Sequence, residues 1–276
     1  MERIKLMKKT TTHSKERIRY LNKRKKERFS VIFLRISLLC ALIAGWEIFA
    51  NAGIIDPFIA SSPSRIIRTI RNLFAEDNFL YHIGITLYET LVGFILAAAI
   101  GYIIALTLWW SDKARKVLEP YIVVLNSLPK IALGPIIIIW FGSGEKSIIF
   151  MTFIIGIIVA VMTMLNGFLT VDKNKILLLR SFGANRFQIL SKLVIPCSIP
   201  TLISMLKINV GLAWIGSIMG EYLVSRAGLG YLIVYGGQVF KLDLVLASTV
   251  VLCALATLMY TIIALLEKLI IKYKNE

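Results

Sequence analysis

Charge is scarce along this chain, and acidic charge scarcest of all. Only 17% of the 276 residues are Asp, Glu, Lys or Arg, against roughly 25% in an ordinary soluble domain. Acids number 16 against 32 basic residues. The two histidines, His13 and His82, stand far apart in sequence, so no catalytic histidine pairing suggests itself. The three cysteines, Cys40, Cys197 and Cys253, lie in or beside apolar runs without metal-like spacing, which argues against a disulfide framework or a zinc site. No Gly-x-x-x-x-Gly-Lys-Ser/Thr loop is present, so the chain is not expected to hydrolyse a nucleoside triphosphate itself. A membrane-embedded enzyme would need clustered His, Asp, Glu or Ser within apolar segments. Only scattered polar groups are found there, so no catalytic residue, metal or cofactor is expected.

What the chain has instead is apolar length. Hydrophobic residues make up 57% and mean hydropathy is +0.76. A crossing helix needs about 20 such residues. Runs at 31–50, 85–109, 120–140, 147–168, 199–222 and 244–267 meet this, predicting an all-α, polytopic bundle of about six spans. The third run contains Pro129 and Pro135, so a kink or break is expected there.

Positive charge is concentrated. Residues 1–28 hold 12 Lys/Arg against 3 Glu. This reads as a basic tail held near anionic lipid rather than a nucleic-acid arm. The basic stretch and the apolar run after it are both too long for a cleaved signal peptide. With the N-terminus inside, the inner segments carry 23 Lys/Arg and the outer ones 6. Both ends are therefore expected in the cytoplasm, with 1–28 as cytosolic tail and 29–276 as the membrane domain.

Two outer segments look structured. Ser62-Pro63 suits a helix cap and first turn, followed by an apolar face of Ile66, Ile67, Ile70, Leu73 and Phe74, an interfacial helix. Residues 228–240 read equally as a short helix dipping back toward the bundle or as a surface connector.

The long inner segment 169–198 is the most informative. Residues 175–182 and 185–194 have helical character and are separated by Gly183-Ala184. Glycine takes positive φ cheaply and ends the first helix. Pro196 and Pro200 mark the start of the next span. Phe187, Leu190 and Val194 are expected on one face. Such an element suits docking to a soluble partner, with Phe182 and Phe187 as anchors and Arg180 and Arg186 meeting acidic groups. An amphipathic loop lying on lipid has the same signature.

Gly183 followed by Leu193-Val194-Ile195-Pro196 resembles the cytoplasmic loop signature of importer permeases of the ATP-binding-cassette (ABC) superfamily: Glu-Ala-Ala, three residues, Gly, nine residues, Ile-x-Leu-Pro. Ser62-Pro63-Ser64 resembles the family's Pro-Ser-Pro-Ser. The stretches from Leu128 to Pro135 with Trp140-Phe141-Gly142, from Arg180 to Asn185, and from Gly228 to Ile233 are similar to the nitrate/sulfonate/taurine branch. The family's Glu-Ala-Ala falls on Leu177-Leu178-Leu179, so its glutamate is absent, and Asp172 is the neighbouring acid that would substitute. The resemblance implies a type I ABC importer permease in a bacterial inner membrane. It also implies two permease copies, identical or closely related, cytosolic ABC ATPase subunits docked at 169–198, and an extracytoplasmic solute-binding protein. Arg180, Phe182, Gly183, Ala184, Arg186, Phe187 and Pro196 are the expected coupling-loop residues. Nitrate, sulfonates, taurine and a cofactor precursor such as a thiamine pyrimidine are all solutes of permeases like this one. A non-transporting scaffold subunit is the reading that the missing glutamate would favour.

Polar residues within spans are costly and so are functional candidates. Glu89, Asn126, Lys130, Asn209 and Glu221 are the expected pathway residues. Each has a plainer alternative: Glu221 could cap or pair with Arg226, Glu89 could pair with another helix, and Lys130 could satisfy carbonyls freed beside the prolines. Lys207 is expected to snorkel to the inner boundary. Gly93, Gly101 and the run from Ala97 to Ala99 should allow close helix packing.

Overall fold

A computed structural model describes residues 15–54, 56–75 and 78–274. Among these, every regular element is a helix. The chain falls into two compact units, Met1–Arg65 and Ile66–Glu276.

The first unit holds α1 (Lys15–Asn51) and α2 (Pro57–Ala60), and α3 (Pro63–Ala75) begins in it. From Asn22 to Asn51, α1 is long and apolar enough to cross a membrane. It ends where Gly53 takes φ +72° and Ile54 N–H turns back to the Phe49 carbonyl at 3.1 Å, a glycine stop. The start of α3 is held by Ser62 Oγ, which accepts from Arg65 N at 3.4 Å, and by Glu47 Oε2, which accepts from Ser64 N at 3.0 Å. The expected Ser62-Pro63 start is therefore present. Glu47 adds an acid at a helix N-terminus, where the macrodipole favours one. Of the expected apolar face of α3, Ile66 is buried while Ile67 and Phe74 are exposed.

The second unit is the main bundle: α4 (Phe79–Trp110), α5 (Asp112–Ser127), a 3₁₀ turn (Lys130–Leu133), α6 (Gly134–Phe141) and α7 (Glu145–Leu169). Then come α8 (Lys173–Ser181), α9 (Arg186–Ile189), a π turn (Leu190–Val194), α10 (Ile195–Val224), α11 (Leu229–Gln238) and α12 (Leu242–Lys274). By length and composition the described residues provide five spanning helices, or six if the bent pair Asp112–Ser127 and Lys130–Phe141 is one span. That pair bends by 87°. The bend falls where Leu128 is extended (ψ 138°) before Pro129. Proline supplies no N–H and pushes the residue before it out of the helical region.

The centre of the bundle is α4, α7 and α10, which approach closely because small residues line their contacts. A Cβ added at Gly93 would lie 2.5 Å from Thr152 Cβ, at Gly101 2.5 Å from Ala160 Cβ, and at Gly216 2.6 Å from Thr152 Cα. The small residues expected on the second span do bring helices together. Around this seam, Ala105, Val161, Met164 and Phe168 continue into Ile189, Leu190 and Val194, so one apolar core joins the bundle to the helices that follow α7. Residues 228–240 form a docked helix rather than a connector: Leu229 and Leu232 of α11 are buried with Phe79.

Candidate functional site

At one end of the bundle α8 and α9 make a helix–glycine–helix element built largely from local signals. Asp172 Oδ1 accepts from Asn174 N at 2.8 Å and starts α8. At its other end Gly183 takes φ +79°. Gly183 N–H donates to Arg180 O (2.9 Å) and Ala184 N–H to Leu179 O (3.0 Å), the two bonds of a Schellman stop. Asn185 then opens α9 with a reciprocal capping box: Asn185 Oδ1 accepts from Gln188 N at 2.8 Å, and Gln188 Oε1 accepts from Asn185 N at 2.9 Å. No partner is needed to set this turn.

The element is tied to the bundle on one side and open on the other. Ile189, Leu190 and Val194 enter the core. The Arg186 guanidinium lies 5.6 and 5.5 Å from the Trp109 and Trp110 ring centres and donates to Trp109 O at 3.2 Å. Phe182 is 78% exposed, Phe187 66%, Leu177 65% and Leu178 55%. The expected face of Phe187, Leu190 and Val194 is corrected in one member: the buried side centres on Ile189 and Leu190, and Phe187 points away from it. Arg180, Arg115 and Lys173 line a cavity of about 490 Å³ between this element and the α4–α5 corner.

Pro196 sits in the first turn of α10, and the helix runs through it and through Pro200 rather than starting afresh. The π turn accommodates this. Ile195 N–H donates to Leu190 O, a wider i→i+5 step just where Pro196 cannot supply an i→i−4 bond. Arg186–Val224 is thus one apolar candidate span.

At the opposite end, every early N–H of α11 is met. Gly228 N donates to His82 Nδ1 (2.9 Å), Leu229 N to Thr86 Oγ1 (2.8 Å), and Gly230 N and Tyr231 N to Glu221 Oε2 (2.5 and 3.3 Å). His82 also stacks on Tyr231, with ring centres 6.0 Å apart. The Gly-Leu-Gly sequence follows from this cap. Gly228 has φ +112°, and a Cβ there would fall within 2.5 Å of the Glu221 Cδ, while one at Gly230 would lie 2.8 Å from its Oε2. Glu221 is therefore a helix cap with its charge set against the positive end of α11. Glu89, 1% exposed, lies beside the Glu221 carboxyl and borders a polar pocket of about 310 Å³.

The remaining expected pathway residues are dispersed. Asn209 is 1% exposed, donates to Met205 O at 3.3 Å, and occupies the space left by Gly156, whose added Cβ would lie 2.7 Å from Asn209 Oδ1. Lys130 Nζ donates to Asn126 O at 3.2 Å, so it serves a carbonyl at the end of α5 beside the Pro129 break. Asn126 itself is exposed. Lys207, expected to snorkel, is instead paired with Glu267 of α12. Sequence reasoning missed His82, Thr86 and Trp109, whose partners lie 77 or more positions away in the chain. It also missed the capping box, although Asn185-x-x-Gln188 is legible as a pattern.

This arrangement has relatives. The profile of the family described as "Binding-protein-dependent transport system inner membrane component" matches residues 97–272. The chain is 26% identical over 238 residues to the putative aliphatic sulfonates transport permease protein SsuC of Bacillus subtilis, covering 86% of each. It is 25% identical over 233 residues to the taurine transport system permease protein TauC of Escherichia coli, covering 83% of this chain and 85% of that one. It is 28% identical over 235 residues to the formylaminopyrimidine transport permease protein ThiX of Halalkalibacterium halodurans, covering 85% and 93%. Among solved structures it superposes on the methionine ABC transporter MetNI in an inward-facing form with TM-score 0.62 at 19% identity, covering 71% of this chain and 99% of that chain. A bacterial ABC transporter involved in alginate import gives 0.60 at 13%, covering 89% and 98%. The fold is that of type I ABC importer permeases, and these relatives are transport permeases, not enzymes. A multi-pass membrane protein, this chain belongs to the family of inner membrane components of binding-protein-dependent transport systems.

Proposed function

We infer that the helix–glycine–helix element Lys173–Val194 is the surface through which this permease takes its drive from a cytosolic ABC ATPase. Its end of the bundle then faces the cytoplasm, as the positive-inside count requires, with both termini there and residues 1–28 along anionic lipid. The observation that carries this is the contrast within the element: a self-capped, core-anchored scaffold that leaves Phe182, Phe187, Leu177 and Leu178 exposed. Aromatic anchors beside Arg180 and the basic cavity suit a partner groove with acidic rim groups. Two permeases, alike or closely related, would enclose the pathway, and an extracytoplasmic binding protein would present the solute to the opposite end. Nucleotide binding draws the ATPases together, the docked elements follow, and α10, continuous with α9 through the π turn, carries the movement into the bundle.

The solute is a small organic or inorganic molecule. Similarity to SsuC and TauC favours a sulfonate or taurine-like anion. A thiamine-pyrimidine precursor is the second reading, favoured by the 28% identity to ThiX. Uptake into proteoliposomes holding the permease, its ATPase and its binding protein tests the proposal. Uptake that requires ATP and all three supports it, whereas an ATPase-independent flux or none in a complete, folded assembly refutes it.

A further inference from the structure

The polar pocket at the end opposite the docking element presents charge of both signs around a space of about 310 Å³. It lies between the start of α4, the α6–α7 connection and the α10–α11 connection, and Tyr81, Glu89, Glu145, Ser225 and Arg226 are among the residues that line it. Its acidic side is built into the bundle. Glu89 is 1% exposed, and its Oε2 has no hydrogen-bond partner among the described residues. Beside it, Glu221 has already committed Oε2 to the N–H groups of Gly230 and Tyr231, while Glu145 lies close enough to act on the Glu89 charge. Neighbouring carboxylates in a place of low dielectric do not remain charged together without a proton or another cation between them. The basic side is Arg226, exposed, together with the start of α7 at Gly144, which no side chain caps. An open helix start and a guanidinium both attract an anion.

We propose that this pocket binds a small zwitterionic solute, with its protonated amine at Glu89 and its anionic group at Arg226 and the α7 start. The assignment rests on the importer reading and narrows it, since nitrate and simple alkanesulfonates lack the amine that Glu89 would meet. Binding is measured on the chain purified from its host in lipid nanodiscs with its associated subunits, using radiolabelled taurine and ethanesulfonate, which differ by the amine alone. Wild type should bind taurine more tightly by about tenfold or more, the worth of one charge-assisted hydrogen bond. Glu89→Gln should abolish that preference, and Arg226→Ala should weaken both probes. Equal binding of the two probes by wild type, or no binding, overturns the inference; with an ATPase still co-purifying, the importer reading survives that result. If Glu89→Gln does not fold, Arg226→Ala still decides, because an exposed side chain whose loss leaves both affinities unchanged is not part of a site.

Discussion

The turn at Gly183 gives the sharpest mutational prediction, because its cost is one of backbone conformation alone. Gly183 has φ +79°, and an added Cβ would meet nothing within 4 Å. Alanine there costs no packing, only the penalty of a left-handed L-residue, about 1–2 kcal/mol. The Schellman stop it must hold consists of two hydrogen bonds worth about 1–3 kcal/mol net. Strain of this size removes most of that support. The fraction of molecules with the turn closed should drop by about two- to fivefold, and the apparent affinity for a docking ATPase should fall with it. Retention of the ATPase by the tagged chain in mild detergent reads this out as an ordered series. Gly183→Asn should stay close to wild type, since asparagine tolerates the left-handed region. Gly183→Ala should be weaker, and Gly183→Val, β-branched, weaker still. Gly211→Ala, at a site with free space and no positive φ, is the control. Equal retention across the series would refute the reasoning that this turn presents the docking surface.

Other consequences follow from the same contacts. Phe182→Ser with Phe187→Ser should abolish ATPase retention while leaving the thermal unfolding of the chain unchanged, because both rings are exposed. Glu221→Ala should destabilise the bundle by about 2–5 kcal/mol by stranding two buried N–H donors, seen as a lower Tm, and Glu221→Gln should recover part of the loss. Gly101→Ala should also lower Tm, by an overpacking cost of about 1–3 kcal/mol, because its Cβ would stand 2.5 Å from that of Ala160.

Much of the fold is written in hydrophobic run lengths. Each of the six expected runs has a helical counterpart, and the third breaks at Pro129, where the sequence points to it. The coupling turn was legible for a related reason: Gly183 and the residues around it act over short distances, through φ and neighbouring hydrogen bonds. The pathway candidates were not separable in the same way. Lys130, Asn209 and Glu221 read alike as polar groups in apolar runs, yet one serves a carbonyl beside a proline, one fills the space of a glycine on another helix, and one caps α11. What distinguishes them is the partner, and Gly156 lies 53 positions from Asn209 in the chain. The apolar face after Gly183 was misplaced at Phe187 because a regular 3.6-residue period was assumed where a π turn intervenes. Helix widening has no period signature in one sequence. It also explains why α10 runs through Pro196 and Pro200, which read as boundaries.

A photo-crosslinking residue at position 182, introduced into the chain in its own membranes, tests the central claim most directly. The account predicts one dominant adduct, to an ABC-type ATPase subunit, that changes in yield when nucleotide is bound. Adducts to lipid alone, in a chain that remains folded, would contradict it and leave the exposed phenylalanines as a membrane-surface feature.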